Sequence, residues 1–342
     1  MSIQKRQDPL LSVEDLTVGF EGPRGTAKIL EGIDFALYPG EILALVGETG
    51  CGKSVTAKSL LDLIPQLSRQ RTGRVFFEGN DLLKLSSHEL GRVRGRSIAM
   101  IFQNPQSSIN PVFTLGEQIF RLIRMYLPDE INALCKQNKM KEKTAVHKIA
   151  QEKLAEVGLT ETGRLLKSYA HEISGGMAQR YKIALALLSS PEILIADEAT
   201  SALDVTVQAH ILRLLKEMSQ KKGTAILFIT HDLGIAAQIC DRVAVMYSGR
   251  IVEIGHTLDL FQTPLHPYTR GLLEAVPTLG KKDPLRFVSG MIPDLANPPE
   301  GCRFHPRCDQ AMAICSRQKP LDTQKNGDHA VACHLYDAKE PG

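Results

Sequence analysis

The sequence predicts an α/β fold in which a sheet of buried strands presents a phosphate-binding loop, joined to an antiparallel β region, a helical insertion and a cysteine-rich C-terminal extension. Three observations carry this. Gly47-Glu48-Thr49-Gly50-Cys51-Gly52-Lys53-Ser54 fills every fixed position of the pattern G-x-x-x-x-G-K-[ST], behind an apolar strand candidate and ahead of a helix candidate. The apolar runs 191–196 and 224–230 read as strands buried on both faces, with polar residues at their ends. From about Ser107 to Ser168 strand patterns give way to helical periodicity.

The 342 residues allow roughly two domains, or one with elaborations. Hydrophobic and charged fractions of 43% and 23% are ordinary for a globular protein. A net charge of +3 leaves no strong nucleic-acid footprint. No segment approaches the ~18 apolar residues that cross a bilayer, and Met1 to Pro9 is polar. A cytosolic location is therefore expected, with any membrane part supplied by another polypeptide.

Taken in order, Leu11 to Phe20 and Ile29 to Leu37 alternate apolar and polar residues around Glu21-Gly22-Pro23-Arg24-Gly25, which predicts two antiparallel strands. Phe20 ends the first, where an aromatic can stack on an adenine ring or simply pack. Glu41 to Val46 is the strand that enters the glycine loop, and Ser54 to Leu63 the helix that leaves it, ended by Pro65. Three glycines let backbone N–H groups close around phosphate oxygens at a helix N-terminus. Lys53 is then placed for the β and γ phosphates and Ser54 for Mg²⁺.

Gly73 to Glu78 and Ser97 to Phe102 are further strands, the second running into Gln103-Asn104-Pro105. Gln103, at a strand's carboxyl end, is a candidate for Mg²⁺ or the attacking water. Leu115 to Tyr126 and Thr144 to Val157 are the helices of the insertion; Lys136, Lys139, Lys141 and Lys143 read as a solvated face. Within His171 to Arg180, which includes Gln179, Ser174-Gly175-Gly176 is a turn that opens the apolar helix Tyr181 to Leu188, a second anion site by its hydroxyl and exposed amides. The strand 191–196 ends in Asp197-Glu198. Asp197 suits Mg²⁺ through water and Glu198 suits a general base. Ser201 to Asp204 begins another helix, Thr224 to Thr230 delivers His231, a candidate donor to the γ phosphate, and Arg242 to Gly255 is a hairpin turned at Ser248-Gly249.

This order of motifs resembles the ATP-binding subunits of ABC transporters over about residues 10 to 260. The resemblance implies a P-loop NTPase cassette with a RecA-like core (1–260), an antiparallel β subdomain and a helical subdomain at about 107–180. It makes Phe20 the adenine-stacking aromatic, Gly47 to Ser54 the Walker A loop and Gln103 the Q-loop glutamine. Ser174 to Gln179 becomes the signature, Asp197 and Glu198 the Walker B acids, Ser201 to Asp204 the D-loop and His231 the switch histidine. It further implies a head-to-tail second ATPase, in which one subunit's signature clamps the other's ATP. Ile173, Ala199 and Ser201 depart from the commoner residues without removing a donor or carboxylate, and Cys51 in the loop is expected to confer sensitivity to thiol reagents.

Leu265-His266-Pro267-Tyr268-Thr269-Arg270-Gly271-Leu272-Leu273 and Gly301-Cys302-Arg303-Phe304-His305-Pro306-Arg307-Cys308 resemble the C-terminal extension (261–342) of the dipeptide, oligopeptide and nickel importer ATPases. This implies peptide import, with nickel or metal-chelate import next, and as partners a paralogous ATPase, two integral membrane permeases and an extracytoplasmic solute-binding protein at the inner membrane's cytoplasmic face, with no nucleic acid. A soluble ABC ATPase acting on ribosomes or DNA, and a regulator built on an inactive ATPase, are the rivals from other classes. Cys302, Cys308, Cys315 and Cys333 follow C-x5-C-x6-C-x17-C, without the close pair usual for zinc. Spacing alone favours zinc over a [4Fe-4S] cluster, the resemblance implies the cluster, and free cysteines without metal are the third alternative. The metal is expected to staple a tail too poor in apolar residues for its own core.

Overall fold

The structure, a computed structural model, describes residues 8–22, 25–65, 69–103, 108–201, 203–276, 288–326 and 328–337. Two compact units are present, one of Met1–Leu85 with Leu227–Gly342, the other of Ser86–Ile226. The first opens with β1 (Leu11–Gly22), β2 (Gly25–Leu37), β3 (Ile42–Val46), α1 (Lys53–Leu60), β4 (Arg69–Phe77) and β5 (Asn80–Asp81). The second carries α2 (Ser87–Val93), β6 (Ile98–Ile101), α3 (Leu115–Tyr126), α4 (Pro128–Asn138), α5 (Glu142–Glu156), α6 (Thr162–Leu165), α7 (Gly175–Leu187), β7 (Ile193–Asp197) and α8 (Val205–Lys222). The chain returns through β8 (Ala225–Thr230) to α9 (Leu233–Ile239), β9 (Arg242–Tyr247), β10 (Arg250–His256), α10 (Thr257–Gln262), α11 (Pro267–Glu274), β11 (Asp322–Asn326) and β12 (His329–Ala332).

In the first unit β2-β1-β4-β5 form one sheet, and the expected β1–β2 pair is antiparallel from Leu11↔Leu37 to Gly22↔Gly25. Leu11, Val13, Leu16 and Val18 of β1 are buried. The other sheet of this unit runs β11-β12-β10-β9-β3-β8. Every residue of β3, β8 and β9 is buried, which is why they read as continuous apolar runs. Glu41 and Arg242 form a buried ion pair at 3.0 Å that joins the start of β3 to β9, and Arg242 also donates to Ala36 O of β2.

The tail is held differently from the expected metal staple. β12 adds to β10 through Glu253↔Val331 and Ile254↔Ala330, and β11 pairs with β12. Phe304 is buried with its ring centroid 5.0 Å from Tyr247 and 5.4 Å from Tyr268. The buried Arg303 donates to Ser248 O and pairs with Glu31 at 2.6 Å. The tail therefore completes the first unit's core instead of needing one of its own.

In the second unit β6 and β7 are parallel, with Ile98↔Ile193 through Ile101↔Ala196 in register. α3 starts in a Thr114–Glu117 capping box and buries Leu115, Ile119 and Ile123 at four-residue spacing. The buried Tyr181 of α7 donates its hydroxyl to Leu115 O at 2.6 Å, tying α7 to α3. A third helix, α4, stands between the two expected ones, with Pro128 in its first turn, where a proline is tolerated. Lys136, Lys139, Lys141 and Lys143 are all exposed.

Candidate functional site

The candidate residues fall into two groups, one in each unit. In the first unit the glycine loop joins β3 to α1. Gly47 has φ 153°, and a Cβ there would lie 2.2 Å from Met246 O, so the loop passes its neighbour at a distance only glycine permits. Gly52, at φ 112°, is the N-cap of α1, and no side chain caps that helix. Its first N–H groups are thus not taken by a capping side chain. Lys53 is buried with its ammonium turned over the loop, donating to Gly47 O at 2.7 Å and Glu48 O at 3.0 Å. A glycine loop packed against Met246 and Leu30, with an ammonium folded over it, fits a nucleotide's phosphates. Ser54 follows on the helix, Thr49 and Gly50 are exposed at the tip of the loop, and Gly50 has φ 88°.

Cys51 is 0% exposed, and burial pushes its thiol up against the pull of Lys53, which works against the thiol-reagent sensitivity expected of it. Phe20 is half-buried on β1, opposite Ala27 of β2 and Arg69 of β4. His231 is exposed directly after β8, the neighbour of β3 in the sheet order. Asp232 beside it caps α9 by accepting from Ile235 N.

In the second unit the parallel register of β6 and β7 does the positioning. Ile101 lies opposite Ala196, so the residues that follow leave the sheet side by side. Gln103 Nε2 accordingly donates to Glu198 Oε2 at 2.8 Å. Asp197 is buried at the end of β7, and Glu198 turns the chain at φ 48°, a conformation that non-glycine residues adopt rarely and often at functional sites. Ser201 closes this turn, with its N–H and hydroxyl both donating to Glu198 O. Asn104 and Pro105 lie outside the described residues.

Ser174 is the N-cap of α7, its hydroxyl accepting from Met177 N at 3.3 Å, with Gly175 and Gly176 in the first turn. Gln179 is buried and donates its amide to Ala199 O, which fastens α7 to the turn after Asp197-Glu198. Asp204 caps α8 by accepting from Val207 N at 3.0 Å. One polar residue escaped the sequence reading. Lys182 of α7 is buried, with its ammonium donating to Phe102 O and lying 3.5 Å from Gln179 Oε1. Burial pushes that ammonium down to about 8 against the attraction of Asp197. A single lysine inside the apolar run 181–188 was the available signal.

The expected metal centre is not formed. Among the described residues no group of three or more His, Cys, Asp or Glu is arranged to hold a metal ion. The four tail cysteines are nevertheless neighbours, since Cys333 feels the charges of Cys302, Cys308 and Cys315. Burial pushes the Cys302 and Cys308 thiols up and Cys333 to about 11, the neutral form that a ligand must lose. Cys315 Sγ accepts from Met312 N at 3.4 Å.

Comparison with known proteins adds the following. The ABC transporter family model matches residues 30–201, and the oligopeptide/dipeptide transporter C-terminal region matches residues 252–315. A dipeptide transport ATP-binding protein, DppD of Bacillus subtilis, is 45% identical over 97% of this chain and 96% of its own. An oligopeptide transport ATP-binding protein, OppD of Escherichia coli, is 43% identical over 93% of this chain and 91% of its own. Among solved structures, a dimeric ATP-binding cassette in a post-hydrolysis state bound to ADP and phosphate superposes with a TM-score of 0.62 at 25% identity, covering 72% of this chain and 98% of that one.

Proposed function

Because this chain belongs to the ABC transporter ATP-binding proteins, we propose that it is the ATPase subunit that energises import of di- or oligopeptides across the cytoplasmic membrane. One observation carries the reading: cassette and peptide-transporter C-terminal region occur in one chain that aligns over 97% of its length with a dipeptide transport ATP-binding protein. Residues 1–260 are read as the cassette and 261–342 as the transporter-type extension. The class of solute follows the named relatives, and the direction of transport is read from the resemblance of the tail.

Within this reading Gly47 to Ser54 hold the phosphates and Phe20 stacks on the adenine. Ser54, Gln103 and Asp197 would hold Mg²⁺, which would supply neutralisation of the charge on the γ phosphate. Glu198 accepts the proton of the attacking water, Gln103 holds that carboxylate in line, and His231 donates to the γ phosphate. The 2.8 Å contact between Gln103 and Glu198 supports pairing the two roles. Ser174, Gly175 and Gly176 clamp ATP bound to a second, paralogous ATPase subunit, while Gln179 and Asp204 brace the turns beside them. Two integral membrane permeases and an extracytoplasmic solute-binding protein complete the assembly, with this chain peripheral on the cytoplasmic face. No helix among the described residues is long and apolar enough to cross a membrane, which supports a peripheral place.

The test is Glu198→Gln in the assembled transporter. It is expected to bind ATP normally while turnover falls at least about a hundredfold, the usual contribution of a positioned base. Turnover near that of the unaltered complex would remove Glu198 from the role.

For the tail we infer from cysteine spacing and shared neighbourhood that Cys302, Cys308, Cys315 and Cys333 take a [4Fe-4S] cluster, with zinc the alternative. Iron, sulfide and zinc determination on anaerobically purified protein tests this. About four irons per chain support the cluster, and metal-free protein overturns both.

A further inference from the structure

The two motifs that mark the C-terminal extension each put a side chain on the same residue of the phosphate loop, Glu48. The hydroxyl of the wholly buried Tyr268 accepts from the Glu48 backbone N–H at 3.0 Å. Arg307 lays two guanidinium nitrogens on the Glu48 carboxylate at 2.9 and 3.1 Å, with its side chain 6% exposed and that of Glu48 28%. Such a bidentate, charge-assisted pair is geometrically demanding and stronger than a neutral hydrogen bond. Both partners are themselves fixed. Arg307 donates further to Ser289 O at 2.8 Å and Val288 O at 3.1 Å. The Tyr268 ring packs on Tyr247 at 4.7 Å and on Phe304 at 5.4 Å, and its N–H donates to Nδ1 of His266 at 3.0 Å.

Glu48 matters because of what else it holds. Its carbonyl accepts from Lys53 Nζ at 3.0 Å and from Cys51 N at 3.3 Å, so its position sets both the phosphate lysine and the turn of the loop. A loop with glycines at 47, 50 and 52 has little side-chain packing to define its shape. A carboxylate at its second position would also repel a triphosphate unless a cation neutralised it.

We propose that Arg307 and Tyr268 are positioning residues for ATP: the extension holds Glu48 in place and cancels its charge, and so presets the phosphate loop from outside the cassette. This rests on the reading of Gly47 to Ser54 as the ATP loop. It gives the motifs Leu265 to Leu273 and Gly301 to Cys308 a task in nucleotide binding, where they had been only marks of the family branch.

The test compares ATP saturation of the assembled transporter carrying Arg307→Gln, Glu48→Gln, or both. Arg307→Gln leaves Glu48 charged beside the nucleotide and is expected to raise KM for ATP about tenfold, about 1.4 kcal/mol, close to the lower end of the range for a hydrogen bond to a charged group. Its kcat is expected to stay within about twofold, because the group acts on binding and not on the reacting atoms. Adding Glu48→Gln removes the uncompensated charge, so the double variant is expected to bind ATP better than Arg307→Gln alone. A merely structural arginine would give additive losses and no such recovery. Arg307→Lys, which keeps the charge and loses the fork, guards against misfolding and is expected to raise KM about threefold. An unchanged KM in both arginine variants, or a double variant no better than Arg307→Gln, overturns the proposal while the ATPase reading stands. An unaltered complex that neither binds nor hydrolyses ATP overturns both.

Discussion

His266 shows how one residue of the extension carries a pH dependence into the fold. It is 1% exposed, accepts from Tyr268 N through Nδ1, and donates its backbone N–H to Glu253 Oε2 at 2.9 Å. Burial pushes its imidazole down from 6.5 to about 4, with Glu253 opposing and Arg270 assisting the shift. Between those values the unfolded chain binds the extra proton, so the stability this group gives is complete above about pH 6.5 and is lost as pH falls through about 4. The 2.5-unit difference between the two values corresponds to about 3 kcal/mol. His266→Asn keeps a side-chain acceptor for the cap and has no such titration. The advantage of the unaltered chain over this variant in urea unfolding is therefore expected to shrink by about 3 kcal/mol between pH 7 and pH 4. A constant difference would place the imidazole's proton in the folded state as well. At the same scale, Lys182 and Arg307 mark the limit of reading single residues. Neither belongs to a periodic pattern, and Glu48, the loop partner of Arg307, stands 259 positions away, so tertiary structure is what makes their roles visible.

At the scale of elements, legibility followed burial. The runs that became β3, β7, β8 and β9 were legible because both faces of each are covered, which forces continuous apolar sequence. The site residues were legible for the same reason, since Gln103 and the pair Asp197-Glu198 stand where two such strands stop. β4 was read too short. Its first half, Arg69 to Thr72, is polar throughout, with only Gln70 and Thr72 exposed, and Gly73 looked like a strand start. In the structure Gly73 lies within the strand at φ 93°, opposite a register shift between Glu14 and Thr17 of β1, and a Cβ there would meet Asp15 O at 2.4 Å. β11 and β12 were missed altogether. Asp322 to Asn326 is a polar sheet edge, and His329 to Ala332 is four residues long, so pairing with β10 defines both more than any local pattern does. The hairpin of β9 and β10, by contrast, was fixed locally, with Ser248 at φ 44° and Gly249 at φ 80° in the turn.

For the whole molecule the consequence is that the cassette boundary proposed near residue 260 is not a folding boundary of the first unit. Every nucleotide motif lies before it, yet Tyr247 of β9 is 0% exposed because Tyr268 and Phe304 cover it, and the edge of β10 is paired because β12 lies along it. A chain ending at residue 260 would expose that ring and leave β10 with unpaired N–H and C=O groups, an invitation to edge-to-edge association. Uncovering one large aromatic costs about 3 kcal/mol, which in a domain of this size lowers the melting temperature on the order of 10 °C. Residues 1–260 are therefore expected to melt at least that much lower than the full chain and to associate during purification, as thermal denaturation and light scattering would show. If instead they stayed monomeric with an unchanged midpoint, the extension would be an appended module. Its hold on Glu48 would then act on nucleotide binding alone, without the shared core that now ties the two together.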